Sequence, residues 1–270
     1  MPWGVSPRME RGAPTTPYPQ SMAEQGAGAL GVIAGTGFYS LDALTDPRQV
    51  DIETRYGPAR AVTGNLHHRE TVFLTRHGAD HSVPPHLVNY RANIAALVEL
   101  GVTEVLAVNV VGGIGLDSGA LVVIDDFIDF TKARPLTFFD GSTPEGVVHV
   151  DMTEPYDPRL RAAWIDGARD CGIEVEPTGV YGAFEGPRFE TKAEIRMARA
   201  MGVTVVGMTG VPEVVLAQEM KLPYATMCLV ANPAAGLGPK IEVEDVMRVV
   251  AEGAEAVGAI IVAAAGRLAG

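Results

Sequence analysis

The sequence predicts an α/β fold: a single domain with a central mixed β-sheet flanked by helices. Three observations carry this. Short apolar runs alternate with runs of helical character along most of the chain. Helix caps and glycines punctuate the alternation at regular intervals. The 270 residues, 47% hydrophobic and 20% charged, suffice for one sizeable core, and no Pro/Gly/Ser linker divides them after the start.

In chain order, Leu30–Ala34 is a short apolar strand ending in Gly35-Thr36-Gly37, and Val72–Thr75 is another. Leu87–Leu100 carries apolar residues at Leu87, Ile94, Leu97 and Val98, with Gly101 placed to end a helix. Val105–Val111 is almost continuously apolar, as a strand covered on both faces must be. Leu121–Ile128 reads as one further strand. Asp157-Pro158 pairs an N-cap with proline at the first helical position, predicting a helix to Cys171 closed by Gly172. Thr178–Ala183 is a strand, Thr191 to Glu194 matches a capping box, and Gly202 closes that helix. Val203–Met208 is a strand, Glu213–Lys221 a helix and Tyr224–Ala231 a strand, and the last helix begins near Glu242.

Composition narrows the function classes. A net charge of −12 argues against a nucleic-acid partner, whose backbone demands a positive surface, but leaves room for a small anion held by a few local donors. Cys171 and Cys228 have neither metal nor redox spacing, so reduced thiols and a cytoplasmic location are expected. The most apolar run, Ala259 to Ala265, is too short for a membrane span. Residues 1–29, rich in Pro, Gly, Ser and Ala without a signal-peptide apolar core, read as a disordered extension, leaving 30–270 as the domain.

In open α/β sheets ligands bind beyond the carboxyl ends of strands. That rule selects the segments at 35–37, 76–81, 110–113, 184–190, 208–209 and 232–235. Gly35-Thr36-Gly37 lets backbone amides and a hydroxyl approach an anion, or is simply a tight turn; it lacks the third glycine of a dinucleotide fingerprint. Arg76 to His81 sets a planar cation beside His77 and His81, which suits phosphate or describes a basic surface turn. No Cys or carboxylate spacing completes a metal site there. Glu185 to Thr191 joins a stiff turn, an aromatic face and a carboxylate to a helix cap, and Asn232 ends an apolar strand with an amide.

Together these pieces resemble one family. Gly-Thr-Gly at 35–37, Arg-His-Gly at 76–78, Pro-His-Leu-Val-Asn-Tyr-Arg-Ala-Asn at 85–93, Gly-Pro-Arg-Phe-Glu-Thr at 186–191 and Gly-Met-Thr-Gly-Val-Pro-Glu at 207–213 are similar to the trimeric nucleoside phosphorylases. That group includes purine nucleoside and methylthioadenosine phosphorylases. The resemblance implies phosphate held by Thr36, Arg76, His77, Val110, Val111 and Thr209. It also implies Phe189 on the purine face and Met208 against the ribose. His81 and Val246 complete the sugar side, and His149 reaches the 5′ pocket of a neighbouring subunit in a homotrimer. The catalytic role falls to Asn232, Thr209 and His77. Phosphate is a co-substrate, with no metal or organic cofactor. One departure is Val110, aligned with a threonine of the methylthioadenosine enzymes, which removes a hydroxyl donor.

Hydrogen-bond inventory then bears on the substrate. A Glu190 carboxylate accepts from N1–H of a 6-oxopurine but faces a bare acceptor on adenine, and Asn232 can donate to O6 or N7. The pair resembles the 6-oxopurine phosphorylases, whereas the methylthioadenosine enzymes have aspartates at the positions of Asn232 and Ala234. An Asn carbonyl can still accept from the adenine amino group. Val243 is aligned with a histidine that meets the 5′-hydroxyl in ordinary purine nucleoside phosphorylases; with Val246 and Met247 it offers an apolar wall, although Val246 also suits a helix core. Together these point to 5′-methylthioinosine, the pattern of S-methyl-5′-thioinosine phosphorylase. Inosine or guanosine and 5′-methylthioadenosine are the alternatives. A water-using nucleosidase, a non-catalytic nucleoside binder and a Rossmann-type oxidoreductase are the readings from other classes.

Overall fold

Strand β1 (Ala29–Ala34) is buried at every position, as its unbroken apolar sequence requires, because helices cover both faces of the sheet. The computed structural model describes residues 28–38, 42–78, 82–141 and 143–269. β1 runs parallel to β4 (Arg69–Thr75) on one side and to β5 (Val102–Gly113) on the other. Its side chains alternate between two cores. Ile33 joins Val72, Leu74 and Val105, while Leu30, Val32 and Ala34 join Phe73 and Leu106.

Helices α1 (Tyr90–Glu99) and α4 (Gly210–Glu219) close the first core through Ile94, Leu97, Val214 and Leu216. Helices α2 (Pro158–Asp170) and α5 (Val243–Leu268) close the second through Leu160, Trp164, Val257 and Ile260. α2 approaches α5 closely at Gly167, where a Cβ would lie 2.8 Å from the backbone nitrogen of Ala264. Helix α3 (Lys192–Ala200) packs Ile195 and Ala198 into a smaller cluster with Phe184 and Val206. The length and composition of α5 would also allow it to cross a membrane; here it lies against α2 and the sheet.

The sheet is mixed, as predicted. β2 (Thr45–Thr54), β3 (Gly57–Leu66) and β4 form an antiparallel meander leading to β1. β10 (Tyr224–Pro233) lies parallel to β5 and antiparallel to β6 (Leu121–Val123). β7 (Asp126–Asp129), β8 (Val180–Ala183) and β9 (Val205–Gly207) are parallel to one another, and the end of β5 bonds antiparallel to β9 at Gly112 and Gly113. Gly113 has no room for a side chain: a Cβ would lie 2.6 Å from the Leu116 carbonyl oxygen.

The predicted caps are present. Asp157 accepts from the Leu160 amide at 2.9 Å, and Thr191 and Glu194 form a reciprocal capping box. Several expectations need correction. Leu121–Ile128 is two strands, because β6 pairs with β10 and β7 with β8. The helix expected over 87–100 is a 3-10 turn at Pro85–Leu87 followed by α1, capped by Asn89. α4 starts at Gly210 rather than Glu213. β2 and β3 carried no apolar signal: β2 is largely exposed and is held by backbone pairing to β3. Of the stretch 1–29, residues 1–27 lie outside the described residues, and the first strand already begins at Ala29.

Candidate active site

A cavity of about 520 Å³ opens where the carboxyl ends of β1, β4, β5, β9 and β10 converge. The loop before α3 and the first turns of α5 close it. It brings together Thr36, Arg76, His77, Val110, Val111, Met208, Thr209, Phe189, Glu190, Asn232, Val243 and Val246, residues that lie far apart in sequence. His149 is exposed and does not line it within one chain, and His81 lies outside the described residues.

At one end the Gly35 turn, closed by the Phe38 amide on the Gly35 carbonyl at 3.1 Å, faces Arg76. A Cβ at Gly35 would lie 2.9 Å from Arg76 Nη1, so glycine is what lets the backbone approach the guanidinium. Arg76 is only 2% exposed. Its Nε and Nη2 donate to the two carboxylate oxygens of Glu213 at 2.6 and 2.7 Å, and Nη1 donates to the Val108 carbonyl at 3.1 Å. Glu213 also accepts from the Tyr224 hydroxyl at 2.7 Å. Burial alone would favour a neutral guanidine, but the Glu213 carboxylate more than offsets it and holds the cation. Because the Val83 carbonyl can only accept, His77 must carry its proton on Nδ1, 2.8 Å away.

Thr209 precedes α4, yet its side chain makes no helix cap. The Tyr181 hydroxyl takes the amides of Thr209 and Gly210, each at 3.2 Å, and burial pushes that phenol up to about 12. The tyrosine ring fits because positions 207 and 210 are glycine; a Cβ at Gly207 would lie 2.2 Å from its oxygen.

At the other end lie Phe189, Glu190 and Asn232. Phe189 is 40% exposed, a ring at the cavity mouth. Glu190 is 8% exposed, and burial raises its carboxyl above the usual range. Asn232 donates to the Pro233 carbonyl at 2.8 Å. Gly186 has φ +67°, and a Cβ there would press 2.6 Å from the Met208 sulfur, so this glycine sets how closely the loop before α3 lies on Met208. Val246 and Met247 extend the Val243 wall, and Val83, Pro84 and Pro85 line the cavity too.

Sequence reasoning missed one residue that organises both sides. Arg134, with a side chain only 1% exposed, donates to the carbonyls of Met208 at 2.5 Å, Val211 at 2.8 Å, Phe184 at 3.2 Å and Glu185 at 2.6 Å. It ties the loop after β8 to the end of β9. Its sequence neighbours carry no motif, and its partners lie 44 and more residues away, so only the fold reveals it. Asn109 was also passed over; on this strand it is the side chain that reaches Thr209, beside Val110.

The arrangement joins a donor-rich end to an apolar slot with an aromatic lid and two amide- or carboxylate-bearing residues. Such a site has the volume and the mix of donors and apolar walls of a small-molecule pocket. Among the described residues no group of three or more His, Cys, Asp or Glu forms a metal cluster. The chain belongs to the phosphorylase superfamily, whose family model matches residues 29–265. It is 48% identical over 216 residues, 78% of this chain and 81% of the other, to a probable 6-oxopurine nucleoside phosphorylase of Thermococcus kodakarensis. It is 49% identical over 211 residues, 77% of this chain and 80% of the other, to a probable S-methyl-5′-thioinosine phosphorylase of Methanopyrus kandleri. A solved methylthioadenosine phosphorylase of Schistosoma mansoni in complex with adenine superposes with a TM-score of 0.82 at 34% identity, covering 87% of this chain and 90% of that one.

Proposed function

We propose that the enzyme cleaves the N-glycosidic bond of a 6-oxopurine nucleoside with phosphate, giving free base and sugar 1-phosphate, and that its preferred substrate is 5′-methylthioinosine. The observation that carries this is one cavity shared by Glu190, Asn232 and the Val243–Val246–Met247 wall. Bond cleavage leaves positive charge on the sugar and negative charge on the base. Phosphate held near Thr36, Arg76, His77, Val110, Val111 and Thr209 stabilises the cation and attacks the anomeric carbon. Asn232 donates to the departing base and Glu190 accepts from N1–H, so the developing charge meets fixed dipoles. Inorganic phosphate is the co-substrate, with no further cofactor. The same reading takes the enzyme to be a cytoplasmic homotrimer in which His149 serves a neighbouring site.

A second reading, 5′-methylthioadenosine cleavage, is favoured by the upward shift of Glu190, since a protonated carboxyl donates to the bare N1 of adenine. The test is a phosphate-dependent assay of inosine, 5′-methylthioinosine and 5′-methylthioadenosine side by side. The 5′-methylthioinosine kcat/KM is expected to lead, and selective cleavage of 5′-methylthioadenosine would defeat the base assignment. Asn232→Asp is expected to shift the ratio toward adenine nucleosides by about tenfold, the worth of one hydrogen bond to a charged group; an unchanged ratio removes Asn232 from base reading. Cleavage at the same rate without phosphate would mean a nucleosidase.

A further inference from the structure

Behind Thr209 lie two polar side chains that touch no part of the cavity, Asn109 on β5 and Thr226 on β10, at most 1% exposed. With the Asn109 NH2 turned toward Thr226, every donor and acceptor among these groups is matched. The Thr226 hydroxyl donates its single hydrogen to the Ala107 carbonyl at 3.1 Å. Its oxygen, 2.8 Å from the Asn109 side chain, must therefore accept, which places the Asn109 NH2 on that side. The Asn109 carbonyl then faces Thr209 at 2.8 Å and can only accept, so the Thr209 hydroxyl donates inward. Rotating the Asn109 amide by half a turn would divert the Thr226 proton and take a hydrogen bond from the Ala107 carbonyl. A second observation agrees. A threonine immediately before a helix ordinarily accepts from the second or third helical amide, but Thr209 makes no such cap: the third helical residue is Pro212, which has no N–H, and the Thr209 side chain is turned to Asn109.

With its hydrogen committed inward, Thr209 presents only lone pairs to the cavity. We propose that Asn109 and Thr226 are positioning residues that hold Thr209 as a hydrogen-bond acceptor, so that the site selects an oxyanion still carrying a proton. Monohydrogen phosphate satisfies this by donating its P–OH. Sulfate, fully deprotonated at neutral pH, sets acceptor against acceptor. The inference deepens the phosphorolysis reading and rests on the placement of phosphate beside Thr209.

The test measures phosphate and sulfate separately by calorimetric titration of the unliganded protein, and the inhibition constant of sulfate against the phosphate KM in turnover. The wild-type protein is expected to favour phosphate over sulfate by more than about tenfold, the scale of one hydrogen bond involving an ionised group. Thr226→Val keeps the shape but removes the hydroxyl, which frees the Asn109 amide to turn and the Thr209 proton to point outward. The phosphate-to-sulfate preference should then fall by about tenfold. Thr226→Ser should restore the wild-type ratio, which a mere packing role would not do. An unchanged ratio in Thr226→Val overturns the inference. So does a wild-type protein that binds sulfate as tightly as phosphate, which keeps the question decidable if the valine variant does not fold. Nucleoside cleavage that ignores phosphate altogether would instead strike the phosphorolysis reading.

Discussion

Glu213 neutralises a cation that the fold has sealed from water. Arg76 and Glu213 are each 1% exposed at the side chain and joined by two hydrogen bonds, with Tyr224 as a third partner. Glu213→Gln keeps the volume but leaves the guanidinium uncompensated. Breaking a buried pair in this way costs about 3–5 kcal/mol. A domain of this size loses roughly 2–4 °C of Tm per kcal/mol, so calorimetry should show a fall of roughly 6–20 °C. Against a typical total of about 5–15 kcal/mol, that is a large share of stability. The triple replacement Arg76→Met, Glu213→Leu and Tyr224→Phe removes the polar atoms together and should regain most of the loss, because two desolvation penalties vanish with the pair. It should not regain phosphate saturation, since Arg76 is gone. A Glu213→Gln protein within about 2 °C of wild type would refute the electrostatic argument. A triple variant with the wild-type phosphate KM would refute the role of Arg76.

Three further predictions concern Glu190 and Arg134. Burial raises the Glu190 carboxyl, whereas the unfolded chain titrates in the ordinary range near about 4.3. As pH rises from the unfolded value through the folded one, the native state retains the proton longer, so this residue removes stability across that window. Glu190→Gln should therefore match wild type in acid and exceed it at neutral pH in denaturant titrations; a variant less stable at neutral pH would contradict this. The acid limb of kcat/KM for a 6-oxopurine nucleoside should likewise lie above the ordinary glutamate range and disappear in the variant. Arg134→Leu deprives four carbonyls of their shared donor and should raise the nucleoside KM at least about tenfold, with a much smaller effect on phosphate, because unmade buried hydrogen bonds cost roughly 1–3 kcal/mol each. An equal effect on both substrates would assign Arg134 to general stability alone.

Much of the site was legible because its residues sit where strands end. Thr36, Arg76, Thr209 and Asn232 each follow an apolar run, and the rule that ligands gather at the carboxyl ends of strands placed them together before any coordinates. The cavity contains all four. Helix boundaries were readable for a similar reason: Asp157, Thr191 and Gly202 act on backbone groups within a few residues. The β2–β3 meander was not readable, since an exposed strand stabilised by backbone pairing leaves no apolar alternation.

By itself, then, the sequence determined the mixed α/β architecture, the caps and the set of chemical groups, because these depend on local periodicity and side-chain type. Only the tertiary structure decided how those groups are spent. It turned the Arg76 guanidinium toward Glu213, set Arg134 across the loop after β8 and Met208, and placed Asn109 and Thr226 behind the Thr209 hydroxyl. Each of these contacts joins residues brought together by sheet pairing or helix packing, and hydrogen-bond direction is a property of the closed network rather than of any residue in it.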